Sequence, residues 1–216
     1  MANNAKEDLY ARIDLMRKNL GISQYDTAIN ALELCERKIS DVKIIYHSFD
    51  TSGFCGAAFA GDKENTIVLN TARLENEQNF DCGHELIHLV RHRHLNNGIF
   101  NCSSKKQNSF LEWEANEGSA QLLVPYQDFI PRFTSLLNNN AFGIQNILAE
   151  HYHVTPQVIN VRMNSLAYEI DQYREGARLD CLELLSRKQR RQRGITTTCY
   201  QALCDFALDW DSVIGL

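Results

Sequence analysis

The stretch Asp81-Cys82-Gly83-His84-Glu85-Leu86-Ile87-His88-Leu89-Val90 constrains this chain more than any other. It holds H-E-x-x-H running into apolar residues, and that spacing makes chemical sense on a helix. Residues four apart on an α-helix share a face, with Cβ atoms about 5–6 Å apart. His84 and His88 can therefore direct two imidazole nitrogens at one Zn²⁺, at the ~2.0–2.1 Å that zinc–nitrogen bonds require. Glu85 lies one step round the helix, too far aside to join them as a ligand and well placed to act on a water as general base. The competing reading is a helix with two buried, hydrogen-bonded histidines. What separates the two is whether the chain supplies a third ligand and a cleft.

Composition narrows the setting. A chain of 216 residues with 44% hydrophobic and 23% charged residues has material for one sizeable domain, with or without a helical appendage. The net charge of −5 gives no global basic field to attract nucleic acid. No apolar run approaches the ~18 residues of a membrane span. The first residues, Met-Ala-Asn-Asn-Ala-Lys-Glu-Asp, lack the apolar core of a signal peptide, so a cytoplasmic location is expected. Seven scattered cysteines with no C-x-x-C pair predict free thiols rather than a disulfide framework, Cys199 and Cys204 included.

Periodicity predicts an α+β chain. Helices are expected over 4–20 and from Ser23 or Asp26 to about 37. Three short β-rich stretches, 42–49, 53–60 and 66–70, predict a small antiparallel three-stranded sheet, with Gly61 to Asn65 as a hairpin loop. A helix over 75–93 carries the histidines. Residues 96–106, rich in Asn, Gly, Ser and Lys, read as a loop. Helices then follow over 107–124, 127–138, 143–152, 156–170, 178–193 and 199–211, and Thr155-Pro156 is a helix start with a hydroxyl cap and Pro at the first turn. The expected organisation is N-terminal helices over 1–39 and a zinc peptidase core of zincin type over 40–140. A helix-turn-helix-like segment over 141–172 packs on that core, and a helical extension fills 173–216.

The third ligand is sought by geometry. His92 lies eight residues from His84, ~12 Å along the axis, so the three histidines cannot share one ion. A surface or supporting position is expected for it. His94 stands where H-E-x-x-H-x-x-G-x-x-H would place a third histidine, but the glycine that turns that chain back is Arg91 here. A carboxylate on the following helix remains, in Phe110-Leu111-Glu112-Trp113-Glu114-Ala115-Asn116. Glu112 and Glu114 are ~200° apart round that helix and cannot both face the ion. Glu112 shares its row with Asn116, Ser119, Ala120 and Leu123, a small and apolar stripe suited to packing on another helix. Glu114 shares its row with Gln107, Glu117 and Gln121, which reads as a solvated face. Glu112 is the expected ligand, and Asn116, one turn on, the expected partner that orients it or a histidine.

With N-T-I-V-L-N, H-E-L-I-H and E-W-E-A-N-x-x-x-A-x-L-L-V-P in order, residues 40–170 resemble the ImmA/IrrE family of zinc metallo-endopeptidases. That resemblance implies a compact gluzincin-like fold, zinc held by His84, His88 and Glu112, and Glu85 as catalytic residue. It also implies a protein substrate, a cytoplasmic transcriptional repressor of the helix-turn-helix class, often carried by phages or mobile elements. Glu117-Gly118-Ser119 departs from the bulkier apolar residues common in the family.

Residues 147–166 have the outline of a helix-turn-helix, yet Arg162 is the only Lys or Arg between 144 and 170, so packing or substrate docking is expected rather than DNA binding. Arg162, His153, Tyr152 and Tyr126 are all candidates to stabilise the oxyanion of the transition state, and the residues do not choose among them. The strand around 66–70 is a candidate to pair with extended substrate. The basic run 187–193 reads as a solvated helix end, its cations favoured near the C-terminal dipole before Gly194. The expected activity is zinc-dependent endopeptidase. The alternative is a non-catalytic regulatory module that keeps the fold and docks a repressor or DNA.

Overall fold

The computed structural model describes residues 5–22, 24–26, 28–50, 53–95, 98–101 and 109–197. Helix α1 (Ala5–Asn19) lays Leu9, Tyr10 and Ile13 into the core, as its apolar spacing predicts. Helix α2 (Ala31–Lys38) starts later than the sequence suggests: Asn30 caps it, its side-chain oxygen accepting from the amides of Leu32 and Glu33 at 2.9 and 3.2 Å.

Strands β1 (Val42–His47), β2 (Gly56–Phe59) and β3 (Asn65–Asn70) follow, and the expected hairpin joins β2 to β3. The sheet itself differs from expectation. It has four strands in the order β1-β3-β2-β4, with β1 parallel to β3 and the other pairs antiparallel. The fourth strand, β4 (Ile99–Asn101), comes from inside the stretch read as a loop; at three residues it is too short to show a period of two. This order places β3 in the interior, paired on both sides, so its backbone has no free edge to offer a substrate. Ala58, Ile67 and Leu69 form the buried face of the sheet.

Helix α3 (Glu75–Ile87) packs on that face, and a π-helical turn (His88–His92) continues it in place of the regular helix expected there. Helix α4 (Ser109–Leu123) crosses α3 at close range because small residues meet at the crossing. A Cβ added to Gly83 would lie 2.5 Å from Ser119 Oγ, and one on Gly118 would lie 3.1 Å from Ile87 Cγ2. The Gly118-Ser119 pair thus lets the two helices approach. Helices α5 (Tyr126–Asn138), α6 (Ile144–Tyr152), α7 (Pro156–Ser165), α8 (Ala167–Arg174) and the short α9 (Arg187–Gln192) close the opposite side of the core. Thr155 caps α7 as expected, accepting from Val158 N at 3.3 Å. The expected 156–170 helix breaks at Leu166 into α7 and α8, and the expected 178–193 helix holds only a 3₁₀ turn and α9. The helix expected over 199–211, with Cys199 and Cys204, lies outside the described residues. Among the described residues, no helix is long and apolar enough to cross a membrane.

Candidate metal centre

The α3–α4 crossing brings His84, His88 and Glu112 together, with one ligand atom of each lying within 4.8 Å of the others. His84 Nε2 and His88 Nε2 are 3.1 Å apart, and each lies 3.4 Å from an oxygen of Glu112. Zinc held tetrahedrally at ~2.0–2.1 Å has ligand atoms spaced by about 3.3–3.4 Å, so the three side chains have the separations such an ion needs.

Their outward hydrogen bonds point the same way. His84 Nδ1 lies 3.0 Å from Asn116 Oδ1, an atom that only accepts, so Nδ1 carries the proton and a neutral His84 turns a lone pair inward at Nε2. Glu112 Oε1 is buried without an aligned hydrogen bond among the described residues. The donor set fits a cation, and nitrogen and carboxylate ligands suit zinc.

Partial burial alone would push the Glu112 carboxyl up, but the neighbouring imidazoles of His84 and His88 hold it down at about 2. Burial lowers the His84 pKa, and Glu112 and Glu85 more than reverse that; for His88 burial prevails and the pKa falls.

Glu85 sits on α3 between the two histidines, fully buried, with β2 against it: a Cβ added to Gly56 would lie 3.3 Å from Glu85 Cγ. A glycine at that point of β2 leaves room for the glutamate. Phe100 of β4 stacks on His88, ring centroids 4.8 Å apart and planes 9° from parallel, so the last strand of the sheet lies directly on a candidate ligand. Phe100 belongs to the strand that the sequence presents as a loop.

A cleft of about 800 Å³ opens beside His84, Glu112 and Asn116. Phe80, Trp113, Val158 and Val161 give it apolar walls, and Arg73 with Asp81 forms a charged corner, Nε to Oδ2 at 2.6 Å. Helix α7 supplies one wall, so the helix-turn-helix-like segment packs on the core and borders the cleft. None of the four oxyanion candidates lines it. Arg162 is fully buried, its guanidinium donating to Val124 O and Glu117 at 2.9 Å and to Tyr10 and Gln121. Tyr126 stacks on Tyr10, Tyr152 donates to Asp128 at 2.7 Å, and His153 caps α6 with φ of 53°.

Glu114 departs from its expected surroundings. Its row on α4 is buried, not solvated: Glu114 pairs with Arg91 and with His92 at 3.0 Å, Glu117 with Arg162, and Gln121 with Asp14. His92 is buried as well, which excludes the surface position, and its Nδ1 lies 2.9 Å from His88 Nδ1. In the basic run, Arg190 is buried against Asn164 O and Arg193 pairs with Glu183. Cys35 and Cys82 are free thiols with sulfurs 3.8 Å apart.

Comparison with curated proteins returned no match. A peptidase family model, described as the IrrE N-terminal-like domain of the M78 peptidases, matches residues 34–164, from α2 to the end of α7. That span holds the three clustered side chains, Glu85 and the cleft, and with more than half of the chain matched, this protein belongs to the M78 family of IrrE N-terminal-like peptidases.

Proposed function

We propose that the protein is a zinc-dependent endopeptidase that hydrolyses a peptide bond of a cytoplasmic protein. A helix-turn-helix repressor of a phage or mobile element is the substrate class to which the family resemblance points. The observation that carries the reading is the convergence of two imidazole nitrogens and a carboxylate at tetrahedral spacing beside a cleft large enough for peptide side chains.

His84, His88 and Glu112 would hold the zinc. When bound, it supplies Lewis acidity that makes water a better nucleophile and a carbonyl more electrophilic. Glu85 receives the proton of the attacking water and returns it to the amide nitrogen as the peptide bond breaks, so the carboxylate ends unchanged. Its burial keeps solvent from competing for that proton. Asn116 holds His84 with its lone pair toward the ion. Extended substrate would lie along the outer edge of β4, unpaired among the described residues and next to His88 through Phe100. The apolar cleft walls would take its side chains.

DNA docking is disfavoured by the ion pair on Arg162, which leaves residues 144–170 without an exposed cation for a phosphate. Glu85→Gln tests the reading. The variant is expected to bind zinc like the wild type and to lose cleavage of a repressor encoded beside it; undiminished proteolysis by Glu85→Gln rejects it.

A further inference from the structure

Beyond the three clustered side chains, α3 and α4 make a second line of contact that the reaction does not use directly. His88 Nδ1 lies 2.9 Å from His92 Nδ1, and His92 Nε2 lies 3.0 Å from Glu114 Oε2. The other Glu114 oxygen is held by the Arg91 guanidinium, which also lies 3.7 Å from Asp8 on α1. His88, His92 and Glu114 are all buried. Water therefore does not substitute for these contacts, and their direction is set by chemistry alone.

From this arrangement we propose that His92 and Glu114 are positioning residues that hold His88 in the tautomer and ring orientation needed to bind the metal. The inference rests on the zinc reading above. A His88 that binds through Nε2 keeps its ring proton on Nδ1. That proton points at His92 Nδ1, which must then be a bare acceptor. The proton of neutral His92 consequently sits on Nε2 and is donated to the Glu114 carboxylate, which has no proton of its own to give. Each link permits only one arrangement of the next. Reverse the chain, with Nδ1–H on His92, and His88 must turn its proton inward toward the ion.

The local fold builds this chain. The π-helical turn over His88–His92 widens the end of α3 and displaces His92 sideways from the α-helical row, and such turns recur at functional positions. Phe100 lies beside both rings, stacked on His88 and with its centroid 6.2 Å from that of His92. The two candidate histidine ligands are thus supported differently. His84 leans on the neutral amide of Asn116, whereas His88 leans on a carboxylate through a second imidazole. A carboxylate behind a ligating imidazole makes it a better electron donor, and losing such a partner typically weakens metal binding about 10–100-fold.

Two variants of nearly equal shape separate orientation from packing. In His92→Asn the amide oxygen takes the place of Nδ1 and still accepts from His88, while the reach to Glu114 is lost. In His92→Gln the amide takes the place of Nε2 and reaches Glu114, but His88 Nδ1–H loses its acceptor. Zinc affinity of the full-length chain is measured by competition with a chelating indicator, alongside urea unfolding of the metal-free protein. We expect the Gln variant to bind zinc about 10–100-fold more weakly, and the Asn variant, which keeps the acceptor for His88 but loses the carboxylate, to fall between it and the wild type. Proton-nitrogen spectra of the imidazoles in the zinc-loaded wild type should place protons on His88 Nδ1 and His92 Nε2. A Gln variant that binds zinc as tightly as the wild type, or an Asn variant equally weakened, overturns the inference. A wild-type chain that takes up no zinc instead overturns the proposed function.

Discussion

The two faces of α4 carry similar side chains in different surroundings. Glu112 and Asn116 stand toward His84 and His88; Glu117 and Gln121 reach Tyr10, Asp14 and Arg162 of α1 and α7, Glu114 reaches Arg91 and His92, and Glu117 also borders the cleft. On the inner face every carboxylate meets a permanent cation: Arg91 holds Glu114, and Arg162 holds Glu117, with Lys6 nearby and itself paired to Glu169 at 2.7 Å. Among the described residues, Glu112 pairs with the imidazoles of His84 and His88. A carboxylate among fixed guanidinium groups is electrically complete and serves the fold. One that faces imidazoles, whose nitrogens are themselves metal ligands, retains affinity for a cation from outside.

Breaking the inner face should therefore cost stability, and breaking the cleft face should cost metal. Arg162→Met removes one partner of a buried pair and is expected to destabilise the chain by about 3–5 kcal/mol in urea unfolding. Glu112→Gln should abolish zinc uptake while changing the metal-free stability far less. Equal destabilisation by the two would erase the contrast.

The crossing that joins the faces is next in size. Gly118→Val drives a branched side chain into Ile87, already 3.1 Å from where a Cβ would sit. A loss of about 1–3 kcal/mol is expected, with weaker zinc binding as α4 is pushed off α3. Calorimetry with and without zinc reads both effects.

Acid probes the inner face more gently. Burial alone would raise the Glu117 carboxyl, but Arg162 and Lys6 bring it below its ordinary 4.5. A depressed pKa contributes stability that is complete above about pH 4.5 and is lost as pH falls through the lower folded value. Stability measured from pH 6 to 3 should decline in that window, and the slope should shrink in Arg162→Met, where that cation is gone. The smallest effect is expected at the solvated pair of Arg12 and Asp8 on α1: Arg12→Ala should change stability by less than about 0.5 kcal/mol.

This comparison also shows what was legible in the chain. The H-E-x-x-H spacing, the helix start at Pro156 and the rotation that sets Glu112 and Glu114 on different sides of one helix are all local, and local periodicity carries them. The solvated face that the spacing assigns to Glu114 is a misreading. Its row reads as solvated because the groups that neutralise it lie far away in sequence: Tyr10, for example, is 107 residues from Glu117, and Arg162 is 45 from it. A buried polar network and a wet helix face have the same composition, and only tertiary contact separates them. Arg162 shows the same limit: a lone cation near a cleft reads as an oxyanion donor until its hydrogen bonds are counted. The fourth strand was hidden by its length, and the parallel pairing of β1 with β3 by a register that no single strand encodes. The π-helical turn that sets His92 against His88 and Glu114 has no sequence signature at all.

The central claim is that one face of α4 completes a metal site and the other does not. X-ray absorption and metal analysis of the zinc-treated full-length chain test it directly, in the wild type, Glu112→Gln and Glu114→Gln. One zinc per wild-type chain is expected, with two imidazoles and a carboxylate around it. At saturating zinc the site should persist in Glu114→Gln and disappear in Glu112→Gln. Zinc that is indifferent to Glu112, or a wild-type chain that binds none, would contradict it.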